Sequence, residues 1–284
     1  GSVIAAESVA DVLARTKSTL PELLATLLPM AAEKARAPVS GYHVGAVAMG
    51  QPADASLTAG TLYLGANLEL TGLPLLMTVH AEQSAVNNAW LSGETGIEWL
   101  AVSAPPCGFC RQFLAELTTA DRLEVLVADS RATSAGIPRF RLSDLLPRRF
   151  GPAELGRSGG LMQTGSVVLR GLKLDGSRHP AELAAEQSYA PYSGNYAGFE
   201  LVTTAGTSVV GRTAESAAFN PSLTAMQSAL ASLALATPPA SPLPVQRATL
   251  VEVPTTVSQR AVSELILRAV ASSAPLNYHV GQPI

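Results

Sequence analysis

His80 and Glu82 stand two residues apart, and 26 residues separate His80 from Cys107 in the run Pro106-Cys107-Gly108-Phe109-Cys110. One imidazole and two thiolates form a borderline-soft donor set suited to zinc. Cys107 and Cys110 are the only cysteines, so no disulfide framework exists, and the pair is left as a redox motif or part of a metal site. Three ligands leave a fourth position open, the arrangement of a catalytic zinc; a structural zinc is closed by four. Glu82 lies close to such a metal without needing to bind it, where a carboxylate can take a proton from water and pass it on. Other readings stay open at this point. A thioredoxin-like redox pair is opposed by Pro106 and by the lack of a thioredoxin-like first βαβ unit. A structural zinc closed by His43, His179 or His279 is a second, and Glu82 as a simple helix-start carboxylate is a third.

The elements around these residues predict how they are positioned. Val9, Leu13, Leu20, Leu23, Leu24 and Leu27 recur at helical spacing from about residue 5 to 29, interrupted by Pro21, and residues 30–37 read as a second short helix closed by Pro38. Residues 42–49 and 61–67 read as buried strands joined by the turn-rich stretch 50–54. Residues 77–91 read as a helix ended by Gly93, 97–103 as a strand, 107–117 as a helix and 123–127 as a strand. Both ligand segments therefore open helices, whose positive N-terminal ends stabilise thiolates. Alternating strands and helices predict a three-layer α/β/α sandwich.

After an irregular stretch from about 128 to 182 the pattern starts again. Ala37-Pro38-Val39-Ser40-Gly41 recurs as Ala190-Pro191-Tyr192-Ser193-Gly194, and His80-Ala81-Glu82-Gln83-Ser84-Ala85 as Thr224-Ala225-Met226-Gln227-Ser228-Ala229. Ala101-Val102-Ser103-Ala104-Pro105 has a weaker echo in Leu250-Val251-Glu252-Val253-Pro254. In the copy Thr224 replaces His80, Met226 replaces Glu82, and by the same register Thr256 and Gln259 replace the cysteines. The second half reads as a chemically inert duplicate. The expected division is 1–130 for an N-terminal helical segment with the catalytic domain, 131–182 for a connector and 183–284 for a degenerate domain without zinc.

H-x-E followed by P-C-x-x-C is the pattern of zinc nucleobase deaminases. With Gly65-Ala66-Asn67-Leu68-Glu69 and the run through Arg111-Gln112-Phe113, the chain resembles cytidine deaminase, more narrowly the long homodimeric type with one active and one degenerate copy of the fold. The resemblance extends to Phe150-Gly151-Pro152 and Ala217-Ala218-Phe219-Asn220-Pro221. It implies the duplicated cytidine deaminase fold, one zinc per chain on His80, Cys107 and Cys110, and Glu82 as proton shuttle. The implied reaction is hydrolysis of cytidine and deoxycytidine to uridine and deoxyuridine with release of ammonia. Asn67 and Glu69 are implied to hold the ribose hydroxyl, with Leu68 acting through its backbone and Ala81 among the substrate contacts. Tyr42 falls where an aromatic ring sits beside the pyrimidine, with a core strand role as its alternative. Phe150 and Ala218 match positions that complete the pocket of a neighbouring subunit in a homodimer. Phe109 departs from the small residue or histidine common inside C-x-x-C, and Pro105 from a threonine or alanine.

Composition narrows the alternatives. The 284 residues are 47% hydrophobic and 14% charged, with a net charge of −3, which excludes intrinsic disorder and disfavours a nucleic-acid binder. No apolar run approaches the length of a membrane span. Gly1-Ser2 resembles a tag remnant, and without a signal-peptide pattern the expected compartment is the cytoplasm. A deaminase of another aminated base, or a non-catalytic zinc-stabilised dimer module, remains the alternative function.

Overall fold

The computed structural model describes residues 1–52, 59–128, 136–163, 165, 167–171, 173–174 and 177–284, without the side chains of 173 and 174. The end of the expected turn at 50–54 and the start of the expected connector lie outside these residues. Contacts divide the chain into two compact units: Gly1–Leu68, Val79–Gln163 and Ser216–Pro221 form the first, and Glu69–Thr78, Thr164–Glu215 and Ser222–Ile284 the second.

Unit 1 runs β1 (Val3–Ile4), α1 (Ala6–Thr16), α2 (Leu20–Ala32), β2 (Gly45–Gly50), β3 (Leu62–Ala66), α3 (Ala81–Leu91), β4 (Ile97–Val102), α4 (Gly108–Leu114), β5 (Glu124–Val127), β6 (Arg139–Arg141) and α5 (Leu142–Leu145). Its sheet order is β1-β3-β2-β4-β5-β6, and β4 and β5 are the parallel pair joined by α4. Two glycines show why helices cover both faces. A Cβ on Gly45 would strike the backbone of Leu28 and Ala32 in α2, and one on Gly65 the backbone of Ala81 and Ala85 in α3. Gly45 pairs with Ala66 and Gly65 with Ala46, so the two glycines point to opposite faces of the pleat. The sheet is therefore sandwiched at positions where only glycine permits such close approach. Val9, Leu24, Leu28, Val47, Leu64 and Leu126 build the core beneath α1 and α2.

Unit 2 runs β7 (Lys173–Leu174), β8 (Ser177–Arg178), α6 (Pro180–Glu186), β9 (Ala197–Thr203), β10 (Ser208–Arg212), α7 (Ala225–Ala236), β11 (Val245–Glu252), α8 (Arg260–Val270) and β12 (Leu276–Val280). Its main sheet, β10-β9-β11-β12, repeats β3-β2-β4-β5 in order and direction, including the final parallel pair. Gly198 and Gly211 repeat the close approaches of Gly45 and Gly65, against α6 and α7. The duplicated α/β/α sandwich expected from the sequence is the fold observed.

Some local expectations differ. Pro21 does not interrupt a helix. It sits in the first turn of α2, where its missing N–H costs nothing, and the break falls at Lys17 in a left-handed conformation. Residues 30–32 complete α2 and form no separate helix. Tyr42 precedes β2 in an exposed loop, so its core strand alternative is excluded. The helix expected from 77 starts at Ala81, because Leu68 and Val79 exchange both backbone hydrogen bonds and hold Val79 extended. Residues 136–163 of the expected connector cluster with unit 1, and α6 packs on β9 within unit 2. No helix among the described residues is long and apolar enough to cross a membrane.

Candidate active site

His80 is the N-cap of α3 and Cys107 the N-cap of α4, so two helix starts deliver the candidate ligands. Cys110, one turn into α4, is buried, and its N–H reaches the Cys107 sulfur at 3.5 Å. Nδ1 of His80 lies 3.2 Å from Sγ of Cys110 and 3.6 Å from Sγ of Cys107, and the sulfurs are 3.7 Å apart. A tetrahedral zinc with ordinary bond lengths sets S···S edges of about 3.8 Å and N···S edges of about 3.6 Å. The donor set fits the metal in both chemistry and spacing. Among the described residues His43, His179 and His279 do not join this cluster, which leaves the three-ligand arrangement.

Electrostatics in the cluster favour exchange of protons for a cation. The hydrogen bond from the Cys110 thiol, helped by His80, pulls the Cys107 thiol down to about 3. Cys110 is held well above the usual thiol range by that same bond and by burial. The Cys107 sulfur raises His80. Metal binding here would displace the thiol and imidazole protons together. The Glu82 side chain is buried beside the Cys110 thiol; burial raises its carboxyl above the ordinary range, the direction useful for a group that must both accept and return a proton. Ala81, between His80 and Glu82, is also buried.

The structure thus brings together His80, Glu82, Cys107 and Cys110. Asn67 is buried behind the loop before β2: its Oδ1 accepts from the N–H of Val44, and its Nδ2 donates to the carbonyl of Tyr42. The amide keeps one N–H and one lone pair beyond these ties. The Leu68 backbone is paired with Val79, and Glu69 falls with unit 2. Tyr42 is 60% exposed and Phe150 44% exposed, and the Phe150 carbonyl accepts from Gln112 Nε2. Ala218 belongs to unit 1 with the segment Ser216–Pro221, its N–H directed at the Ser216 hydroxyl.

The second repeat shows what replaced the metal cluster. Gln259 is the N-cap of α8, so it occupies the place of Cys107 and not that of Cys110 as the sequence register suggested. Its amide accepts from the N–H of Ala225 and donates to Asn195 and Thr213, while Glu252 receives Asn195, Ser258 and Tyr278. A hydrogen-bonded plug of side chains, without sulfur, surrounds Gln259 at the equivalent helix start. Three further residues matter in unit 1. Phe109 stacks on His80, Gln83 caps α3, and Glu116 is a wholly buried carboxylate. The recurrence of Gln83 as Gln227 was a sequence signal for the first of the last two, and Glu116 had none.

Residues 19–126 and, separately, residues 142–264 match the cytidine and deoxycytidylate deaminase zinc-binding region. The chain is 44% identical over 229 residues to a cytidine deaminase of Shewanella loihica, covering 81% of this chain and 73% of that one. It is 38% identical over 288 residues to a cytidine deaminase of Vibrio atlanticus, covering 98% and 89%. A crystal structure of cytidine deaminase from Burkholderia pseudomallei overlaps 47% of this chain and 100% of its own, at 26% identity and a TM-score of 0.39. With two deaminase-type repeats and a zinc-type His/Cys/Cys cluster on two helix starts in the first, this chain belongs to the cytidine deaminase family and is a hydrolase.

Proposed function

We propose that the enzyme hydrolyses cytidine and deoxycytidine to the uracil nucleosides and ammonia at the His80, Cys107 and Cys110 cluster, with Glu82 moving the protons. The observation that carries this reading is the buried Glu82 carboxyl next to the His80, Cys107 and Cys110 cluster. Zinc held by the three side chains supplies a Lewis acid that makes water acidic near neutral pH. Glu82 takes the proton of the attacking water and delivers it to ring N3, which leaves C4 open to attack. As the C4–O bond forms, Glu82 receives the second proton and passes it to the exocyclic amine. The C4–N bond then breaks, and ammonia leaves. Burial of Glu82 suits this double duty, because its neutral and charged forms are brought closer in energy.

Asn67, with Leu68 and Glu69, is proposed to bind the ribose hydroxyl. An amide already fixed by Val44 and Tyr42 offers its remaining donor and acceptor in one orientation, which is the preorganisation a sugar site needs. Ala81 and Tyr42 are proposed to contact the pyrimidine. A homodimer in which Phe150 and Ala218 finish the neighbouring pocket is part of the same reading, supported by the exposure of the Phe150 ring. Ammonia release from cytidine, compared between the parent and Glu82→Gln, tests the core of it. Equal turnover in the two would remove Glu82 from the mechanism.

A further inference from the structure

Gln83 survives in the inert repeat as Gln227 although His80 and Glu82 became Thr224 and Met226. A residue kept where the chemistry was lost has a task other than chemistry. Both glutamines are the third residue of their helix, and both do the same two things. Gln83 Oε1 accepts from the N–H of His80 at 3.2 Å, and its Nε2 donates to the carbonyl of Pro221 at 3.0 Å. Gln227 Oε1 accepts from the N–H of Thr224 at 3.1 Å, and its Nε2 donates to the carbonyl of Met77 at 3.1 Å. The first half of each task is a helix cap. The second half grips a backbone carbonyl of a loop that comes from the other repeat.

The loop gripped by Gln83 is Ser216–Pro221, which clusters with unit 1 although its flanks, Glu215 and Ser222, cluster with unit 2. It is held at both ends. At its start the N–H of Ala217 donates to Oε2 of Glu116 at 2.9 Å, and Glu116 is wholly buried. At its end stands the bond from Gln83. Between the anchors Phe219 has φ of 61° and an exposed ring, a left-handed conformation that a non-glycine residue keeps only where its surroundings impose it. A wholly buried acceptor thus ties the start of the loop to the interior of unit 1.

We propose that Gln83 and Glu116 are positioning residues that clamp the segment Ser216–Pro221 onto the catalytic unit. Because Gln83 also holds the N–H of His80, the clamp fixes the helix start that presents the imidazole. The consequence for the metal rests on the reading of His80 as a zinc ligand; the consequence for the loop does not.

The test uses the full-length, zinc-loaded enzyme and four variants. Gln83→Glu keeps an acceptor for the N–H of His80 but turns a second acceptor toward the carbonyl of Pro221. Gln83→Met loses both bonds without adding charge. Glu116→Ala releases the other end, and Glu116→Gln keeps an acceptor for the N–H of Ala217. Proteolytic cleavage within 216–221 should accelerate by about tenfold or more in Gln83→Glu, Gln83→Met and Glu116→Ala, with Glu116→Gln near the parent. Zinc transfer to a chromogenic chelator should accelerate by about tenfold in Gln83→Met, as for loss of a group that orients a ligand. Gln227→Glu breaks the equivalent bond in unit 2 and should leave zinc transfer unchanged. If a Gln83 variant fails to fold, the Glu116 pair still decides the loop question by proteolysis. Cleavage rates equal to the parent in Gln83→Glu and Glu116→Ala would overturn the clamp. Faster zinc loss in Gln227→Glu equal to that in Gln83→Met would show a general loosening and overturn the local link to His80. A parent that binds no zinc would sink the metal reading while leaving the cleavage result standing.

Discussion

The ring of Phe109 lies against the ring of His80, with centroids 5.4 Å apart and planes inclined by 21°. The residue inside C-x-x-C therefore braces the imidazole that stands opposite the two sulfurs. Replacing the ring by a methyl group removes that brace without touching any donor atom. Phe109→Ala is expected to speed zinc release by about tenfold and to change kcat little once zinc is saturating. An unchanged release rate would show that the cap at α3 alone orients His80.

Metal analysis should find about one zinc per chain, because among the described residues the one His/Cys/Cys cluster lies in the first repeat. Cys107→Ala and Cys110→Ala should each lose metal and deaminase activity together. A second zinc per chain would mean that the hydrogen-bonded plug around Gln259 is displaced in solution.

Glu82→Gln should keep zinc and fold but lower kcat by about three orders of magnitude or more, since one carboxyl serves every proton transfer. Zinc content and turnover measured on the same preparation separate this from metal loss. Loss of zinc in step with activity would instead make Glu82 a support for the ligand cluster.

Much of this site was legible because its signals are local. Helix caps, a C-x-x-C turn and an H-x-E spacing are written within a few neighbouring residues, and they placed His80, Glu82, Cys107 and Cys110 correctly on helix starts. Repetition carried the fold further, since β3-β2-β4-β5 and β10-β9-β11-β12 come from matching segments. What stayed hidden was non-local. Glu116 gave no sign that it would meet Ala217, a residue 101 positions away, and no periodicity marks a loop that leaves its own repeat. The alignment of Gln259 with Cys107 was hidden for another reason. The turn before α8 differs in length from the turn before α4, so residue counting slips where cap geometry does not.

Acid stability should be shaped by His179 in unit 2. Its ring is buried, and burial holds its pKa below the ordinary imidazole value; Glu200 and Glu182 oppose this shift, while His279 and Arg247 reinforce it. Its Nδ1 also accepts from the N–H of Ala181 as the cap of α6, which requires the unprotonated ring. The unfolded chain takes up this proton near pH 6.5, before the folded one does. Stability is therefore fully present above that pH and is lost progressively as the pH falls toward the folded value. His179→Asn keeps a capping acceptor and removes the titration. Its Tm should fall less steeply than the parent's between about pH 6.5 and 5. Parallel slopes would exclude His179 as the source.

The homodimer reading has its own test, because it places Phe150 and Glu82 of one pocket on different chains. Phe150→Ala should weaken cytidine binding, seen as a raised KM, while zinc content stays at the parental level. Glu82→Gln should bind zinc and nucleoside but turn over poorly. When the two variants are mixed and allowed to exchange subunits, half of the pockets in each hybrid dimer combine an intact Glu82 with an intact Phe150 from the other chain. The other half carry both defects. Activity at limiting cytidine should then rise above the sum of the two parents, by an amount set by the fraction of hybrids. Native mass spectrometry of the mixture gives that fraction, so the rise can be compared with it directly. If hybrids form and the Phe150→Ala parent has a clear defect, yet activity stays at the sum of the parents, Phe150 serves the pocket of its own chain. The exposed ring would then belong to a loop that folds over Glu82 within one subunit, and the dimer would carry no catalytic requirement.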